Sequence, residues 1–149
     1  MLVRRLQSED SALARKAVLE LKIRDSALSE SLSVDYLSTF LGRSENYFIV
    51  AMIDESPVGY LVAYELGRID RHQTMILCYE LRVAKAHRRM RVGTAMITLL
   101  RSLCDQRKVL KMWVHTTKSN VAAIRLYEST GGVADPSGDE ITYVYTPEL

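Results

Sequence analysis

The chain has 149 residues, 48% of them hydrophobic and 26% charged, with a formal net charge of +2. That length predicts one domain, able to bury about two-thirds of its unfolded surface around a single core. No apolar run approaches the roughly 18 residues a membrane span needs, and the opening MLVRRLQSED lacks the apolar stretch and cleavage site of a signal peptide, so the expected location is cytoplasmic with no membrane partner. A charge of +2 is too small to demand a nucleic-acid partner. Cys78 and Cys104, with His72, His87 and His115, show no ligand spacing, so neither a disulfide framework nor a metal site is expected.

In chain order, Leu2 to Leu6 is a short strand candidate. A helix from an N-cap at Ser8 to about Asp25 follows, with Leu13, Ala14, Ala17, Val18 and Leu21 at helical spacing. A second helix covers Val34 to Leu41 and ends at Gly42. Tyr47 to Ile53 and Val58 to Leu66 read as a hairpin about Asp54-Glu55-Ser56-Pro57. After a polar turn, MILCYELRV makes a third strand, apolar enough to be central and interrupted by Glu80. Val92, Ala95, Met96, Leu99, Leu100 and Leu103 trace one face of a helix from Arg91 to Arg107. A strand from Val109 to His115 leads to a helix that Ser119 caps, that contains Val121 to Thr130, and that stops at Gly131-Gly132. Two short strands about Pro136-Ser137-Gly138-Asp139 close the chain. The order β-α-α-β-β-β-α-β-α-β-β predicts an α/β (α+β) fold, a mixed sheet covered by helices on both faces.

The positive charge is local. Lys85, His87, Arg88, Arg89 and Arg91 fall where a strand turns into a helix, and the first-turn amides of a helix lack intrahelical partners and carry partial positive charge. This is a recipe for binding a pyrophosphate, set against the simpler reading of a solvated basic turn. Gly93, in the first helical turn, costs about 1 kcal/mol against alanine and calls for a reason such as close approach of a ligand.

At HRRMRVGTAM the chain resembles the GCN5-related N-acetyltransferase (GNAT) family, whose signature is Arg/Gln-x-x-Gly-x-Gly/Ala at the start of such a helix. Arg88, Val92 and Gly93 match, and Arg91 stands where the family usually has glycine. A second segment, SNVAAIRLYESTG, matches the family's later motif at Asn120, Ala123, Leu126 and Tyr127. From Tyr36 through Tyr127 the chain is most similar to the aminoglycoside 3-N-acetyltransferases, on YLSTFL, the hairpin YFIVAMIDESPVGYLVAYEL, CYELRV, HRR and TAMI.

The resemblance implies a GNAT-like, mostly antiparallel sheet of about six to seven strands flanked by about four helices, with a splayed central strand pair. It implies acetyl-CoA as cosubstrate. Backbone groups at Leu81, Arg82 and Val83 would receive the acetyl and pantetheine portions, and Arg88, Arg89, Met90, Arg91, Val92, Gly93 and Thr94 would surround the pyrophosphate. Asn120 would contact the pantetheine arm or cap its helix. Tyr127 would protonate the departing thiolate or hydrogen-bond to it, against the simpler role of filling the helix–sheet interface. Glu80, in an apolar strand, is the candidate base, its pKa expected to rise by desolvation; it stands equally as the anchor of a substrate ammonium or as a carboxylate paired with Arg82 or Arg125. Other carboxylates available to a polyamine are Glu65, Asp70, Asp135, Asp139 and Glu140.

The expected acceptor is a small-molecule amine, the 3-amino group of an aminoglycoside among the candidates. A protein N-terminus, a lysine or a small amine metabolite are the alternatives within the class, and a CoA-binding module with little catalysis is the alternative outside it. The resemblance is compatible with a homodimer.

Overall fold

A computed structural model describes residues 1–22, 26–139 and 141–146. Five strands form one sheet in the order β1 (Leu2–Arg5), β2 (Asn46–Ile53), β3 (Ser56–Gly67), β4 (Thr74–Val83), β5 (Met112–Val114). Neighbours are antiparallel except β4 and β5, which run parallel through the crossover helix α4 (Val92–Arg107). The other helices are α1 (Ser11–Leu21), α2 (Ser26–Ser31), α3 (Val34–Gly42) and α5 (Val121–Ser129).

The sheet is buried on both faces because β2 and β3 are apolar at every parity. Tyr47, Ile49, Ala51, Leu61 and Ala63 face the side that α4 covers, with Val92, Met96, Ile97 and Leu100 packed on them. Phe48, Val50, Tyr60 and Val62 face the opposite side, under Ala14 and Ala17 of α1 and Leu37 and Leu41 of α3. Each large apolar side chain so enclosed stabilises the fold by about 1.5–3 kcal/mol.

Three details differ from the expectations. The first helix starts later than Ser8: Asp10 accepts a hydrogen bond from the Gln7 amide (2.8 Å) and holds both Arg4 Nη atoms (2.9 and 2.8 Å), so Ser8–Asp10 is a 3-10 turn ahead of α1. Its expected end near Asp25 lies outside the described residues. Helix α2, SALSES, is six residues long, too short and serine-rich to show a helical period. The sheet also has five strands rather than six or seven, because no closing strands form in 133–139 and 141–146. There Asp135 accepts from both the amide (2.9 Å) and the hydroxyl (2.8 Å) of Ser137, local bonds that compete with a ladder. Ile141, Tyr143 and Tyr145 stay exposed.

Gly59 brings α4 close to the sheet. A Cβ there would lie 2.9 Å from Val92 Cγ1, 3.0 Å from the Arg82 carbonyl oxygen and 3.1 Å from Met96 Cε. The carbonyl is backbone and Val92 opens the helix, so neither yields cheaply. Gly59→Ala is expected to destabilise the protein by about 1–3 kcal/mol, read as a lower urea midpoint at unchanged slope.

Candidate active site

Strand β4 carries the site because it changes phase in the middle. Val62 pairs with Glu80 but Ala63 pairs with Cys78, so Tyr79 is an extra residue, a β-bulge. Ahead of it Ile76 and Cys78 point into the core under α4; beyond it Leu81 and Val83 do. Tyr79 and Glu80 both turn to the opposite face, where the Tyr79 ring meets Tyr64 edge-on at 5.6 Å and the Glu80 carboxylate accepts from the Tyr60 hydroxyl. A carboxylate in an apolar strand thereby avoids the interior of the α4 core.

Beyond the bulge the strands part. β5 pairs with β4 only at Ile76–Cys78 against Met112–Val114, while β4 runs on to Val83. Leu81, Arg82 and Val83 lie on this stretch, bonded to β3 on one side and, among the described residues, to no strand on the other. The expected splay is present.

Tyr127 packs half-buried on α5 against the α4-side core. Burial, with the nearby Cys78 sulfur adding to it, pushes its phenol up to about 12, so it stays protonated at neutral pH. Its hydroxyl makes no hydrogen bond to a described residue. The turn that carries it is fixed at its end: Gly132 N donates to the Tyr127 carbonyl (2.8 Å) and Gly131 N to that of Glu128 (3.1 Å), with Gly131 at φ +91°, a Schellman motif. At the start of α5 the cap is Asn120 rather than Ser119; its side chain accepts from Ala123 N at 3.1 Å. Ser119 instead shares a hydrogen bond with the Thr117 hydroxyl at 3.1 Å.

The basic turn leads into α4 as expected. Arg88, Arg89, Met90 and Arg91 are exposed, whereas the Val92 side chain is 1% exposed and pins the helix start to the core. The first intrahelical bond of α4 is Ala95 N to the Arg91 carbonyl (3.0 Å). The amides of Val92, Gly93 and Thr94 precede it and donate to no described backbone group. Arg88, Arg89 and Arg91 pair with no carboxylate among the described residues. Nδ1 of His87 is buried without a partner there as well. Unpartnered amides, guanidinium groups and a helix N-terminus together are the donor set that a diphosphate takes.

Gly93 is explained otherwise than expected. A Cβ there would sit 3.0 Å from Leu126 Cδ2, so the glycine admits α5 against α4. The conformational demand falls on Arg91, at φ +59°, with Arg89 at +64°. A left-handed non-glycine residue costs roughly 1–2 kcal/mol. Arg91→Gly should therefore raise stability by about 0.5–1 kcal/mol, the relief being partly offset by glycine's freedom in the unfolded chain; a higher melting temperature would show it.

Among the described residues, three donors hold Glu80. Oε1 accepts from Tyr60 (2.8 Å) and Arg82 Nε (2.6 Å), and Oε2 from Lys22 Nζ (2.8 Å). The expected upward pKa shift is reversed: burial pushes it up, but the hydrogen bonds from Lys22, Arg82 and Tyr60 outweigh burial and hold it below its ordinary 4.5. Arg82 is the pairing named from sequence. Lys22, 58 residues away and brought in by α1 lying on β3, has no sequence signal. Beside this site the half-buried Tyr64 has its phenol raised by burial first and then by Tyr79, Tyr36 and Glu80 in that order, and Tyr36 and Tyr79 are 63% and 65% exposed.

Two of the other carboxylates are committed elsewhere. Glu65 is 8% exposed and accepts from Tyr47 (2.7 Å), Thr74 (2.6 Å) and Arg107 (2.9 Å), and Asp70 pairs with Arg68 (2.7 Å). Glu140 lies outside the described residues. No helix is long and apolar enough to cross a membrane, and no cluster of metal-ligating side chains occurs, among the described residues.

Residues 15–132 match the acetyltransferase (GNAT) family. Among curated proteins nothing matches. Of the solved structures, an aminoglycoside acetyltransferase from an uncultured soil metagenomic sample has a TM-score of 0.83 at 26% identity, over 99% of this chain and 98% of that one. A second aminoglycoside acetyltransferase from such a sample, in complex with sisomicin, gives 0.81 at 21% identity over 99% and 96%. A ribosomal-protein-alanine N-acetyltransferase from Brucella melitensis biovar Abortus 2308 gives 0.69 at 18% over 98% and 99%. At identities of 21% and 18% the last two show the shared fold alone.

Proposed function

Because the chain belongs to the GNAT acetyltransferase family, we propose that it moves an acetyl group from acetyl-CoA to a primary amine of a cationic small molecule, an aminoglycoside and its 3-amino group in the first instance. The observation that carries this reading is the parting of β4 from β5 beside a helix N-terminus with unpartnered amides. Acetyl-CoA, when bound, supplies an acyl carbon bearing a thiolate leaving group.

The chain's own residues supply the rest. Arg88, Arg89 and Arg91 neutralise the diphosphate, with the amides of Val92, Gly93 and Thr94 donating to it. Exposed Met90 lies along the same turn. Backbone groups of Leu81, Arg82 and Val83 hydrogen-bond the pantetheine arm, and an amide near Leu81 or Val83 stabilises the oxyanion. Asn120, its side-chain oxygen committed to the cap, keeps its amide donors for the same arm. Tyr127 donates its proton to the departing sulfur, and the proton that the acylated amine releases passes through solvent to restore the phenol. Glu80, ionised and acceptor-only, anchors an ammonium group of the acceptor; its lowered pKa makes it a weak base.

The test is acetylation of a panel that includes aminoglycosides, monoamines and N-terminal peptides, with the modified nitrogen located by NMR and acetyl-CoA affinity measured by calorimetry. Acetylation of peptides but of no small amine would replace the acceptor class. Absence of acetyl-CoA binding would sink the reading.

A further inference from the structure

The two oxygens of Glu80 are held differently. Oε1 accepts from Tyr60 and Arg82, which belong to β3 and β4 themselves and are set by the sheet. Among the described residues Oε2 has a single donor, the Nζ of Lys22 at 2.8 Å. Lys22 is the residue that ends α1, and its side chain is 43% exposed, against 16% for that of Glu80. A long, solvated lysine thus closes over a carboxylate that is otherwise mostly enclosed.

An ammonium is held there while the aromatic surroundings suit a second cation. Tyr79, next to Glu80 in the chain and turned to the same face, is 65% exposed, and ring faces attract ammonium groups. Lys22 is unlike the other donors in that nothing but this bond orders its end: its Nζ makes no other hydrogen bond or ion pair among the described residues.

We propose that Lys22 fills the acceptor-ammonium position of this site, so that a cationic acceptor binds by displacing Lys22 Nζ from Glu80 Oε2. The inference rests on the acetyl-transfer reading and deepens it by naming the substrate class. The reacting nitrogen must be neutral and the anchored one charged, so the acceptor carries at least two amino groups. Lys22 is then a specificity residue. It taxes every acceptor that needs Oε2 by the fraction of molecules in which the oxygen is already taken, and it leaves a monoamine untouched.

The experiment compares wild type, Lys22→Met and Lys22→Arg, using sisomicin as the polycation and cyclohexylamine as the monoamine. Calorimetry measures sisomicin binding to the protein alone, and steady-state kinetics measure acetylation of both amines. Lys22→Met is expected to tighten sisomicin binding and lower its KM by about 3- to 10-fold, the scale of a partly screened ion pair. The KM of cyclohexylamine should stay within about twofold, and Lys22→Arg, which restores the competitor, should return sisomicin close to wild type. Unchanged or weaker sisomicin binding in Lys22→Met overturns the inference, as does an equal gain for both amines or an absence of sisomicin binding in all three proteins. Displacement seen by calorimetry without acetyl transfer to any amine would instead overturn the transfer reading and leave the subsite standing.

Discussion

Tyr127→Phe is expected to lower turnover by about 10²-fold or more while leaving acetyl-CoA affinity and stability close to wild type. The expectation follows from what the phenol does and does not touch. Burial holds it protonated, up to about 12, and its hydroxyl bonds to no described residue, so removing the oxygen deletes no structural hydrogen bond. The ring keeps its packing on the α4-side core. A proton donor matters only as charge develops on the departing sulfur, so its loss should reduce kcat and kcat/KM alike. Pre-steady-state kinetics establish whether chemistry limits the rate. If it does and turnover is unchanged, Tyr127 is a packing residue and another group or water protonates the thiolate.

Glu80→Gln should act on binding more than on rate. The amide keeps an oxygen for the Tyr60 hydroxyl but loses the charge that Arg82 and Lys22 face. The KM of a polycationic acceptor should rise by about 10- to 10²-fold with kcat little changed, whereas a general-base role would show as a fall in kcat that shrinks as the pH rises. The variant should also lose about 1–3 kcal/mol of stability, because two cations keep their positions without their carboxylate.

This loss has a pH signature. The folded-state pKa of Glu80 lies below its ordinary 4.5, so its contribution is fully present above pH 4.5 and disappears as the pH falls through the lower folded value. Urea titrations should show wild type and variant converging in acid and fully separated at neutral pH. A constant difference across the range would mean that the charge is not the source.

The pattern of legible and illegible features is physical. Helix α4 was open to reading because it buries one face, which imposes a period on sequence, and strands β2 and β3 because burial on both sides makes each a continuous apolar run between turn residues. The basic turn leading into α4 was legible because its charges and the helix start lie close together in the chain, and the place of Tyr127 on α5 because its motif is local. What sequence did not reveal is non-local or singular. The Lys22–Glu80 contact depends on how α1 lies across the sheet. In sequence Gly93 reads as a ligand-facing glycine, whereas in the structure Leu126 of α5 packs against it. The direction of the Glu80 shift reversed because desolvation, which strand polarity suggests, loses to three donors that only packing assembles. The turn residues Pro136-Ser137-Gly138-Asp139 suggest two flanking strands, where 133–139 and 141–146 form none.

The bulge at Tyr79 also constrains how this chain can vary in length. β4 is in effect two short strands of opposite phase spliced at one residue: even-numbered side chains enter the α4 core before the splice and odd-numbered ones after it. Removing Tyr79 would erase the splice and restore simple alternation, with Cys78, Leu81 and Val83 still in the core and Glu80 still on the opposite face, but it would lose the Tyr79 ring against Tyr64 and the local twist of the bulge. Adding one between the splice and Val83 would displace the whole basic turn and the helix start that Val92 pins. The stretch from Glu80 to Val92 therefore behaves as a ruler with fixed graduations, while the β3–β4 turn at 68–73, outside the splice and largely exposed, can absorb insertions without moving them. Indels tolerated during divergence should collect at that turn and be absent from the ruler.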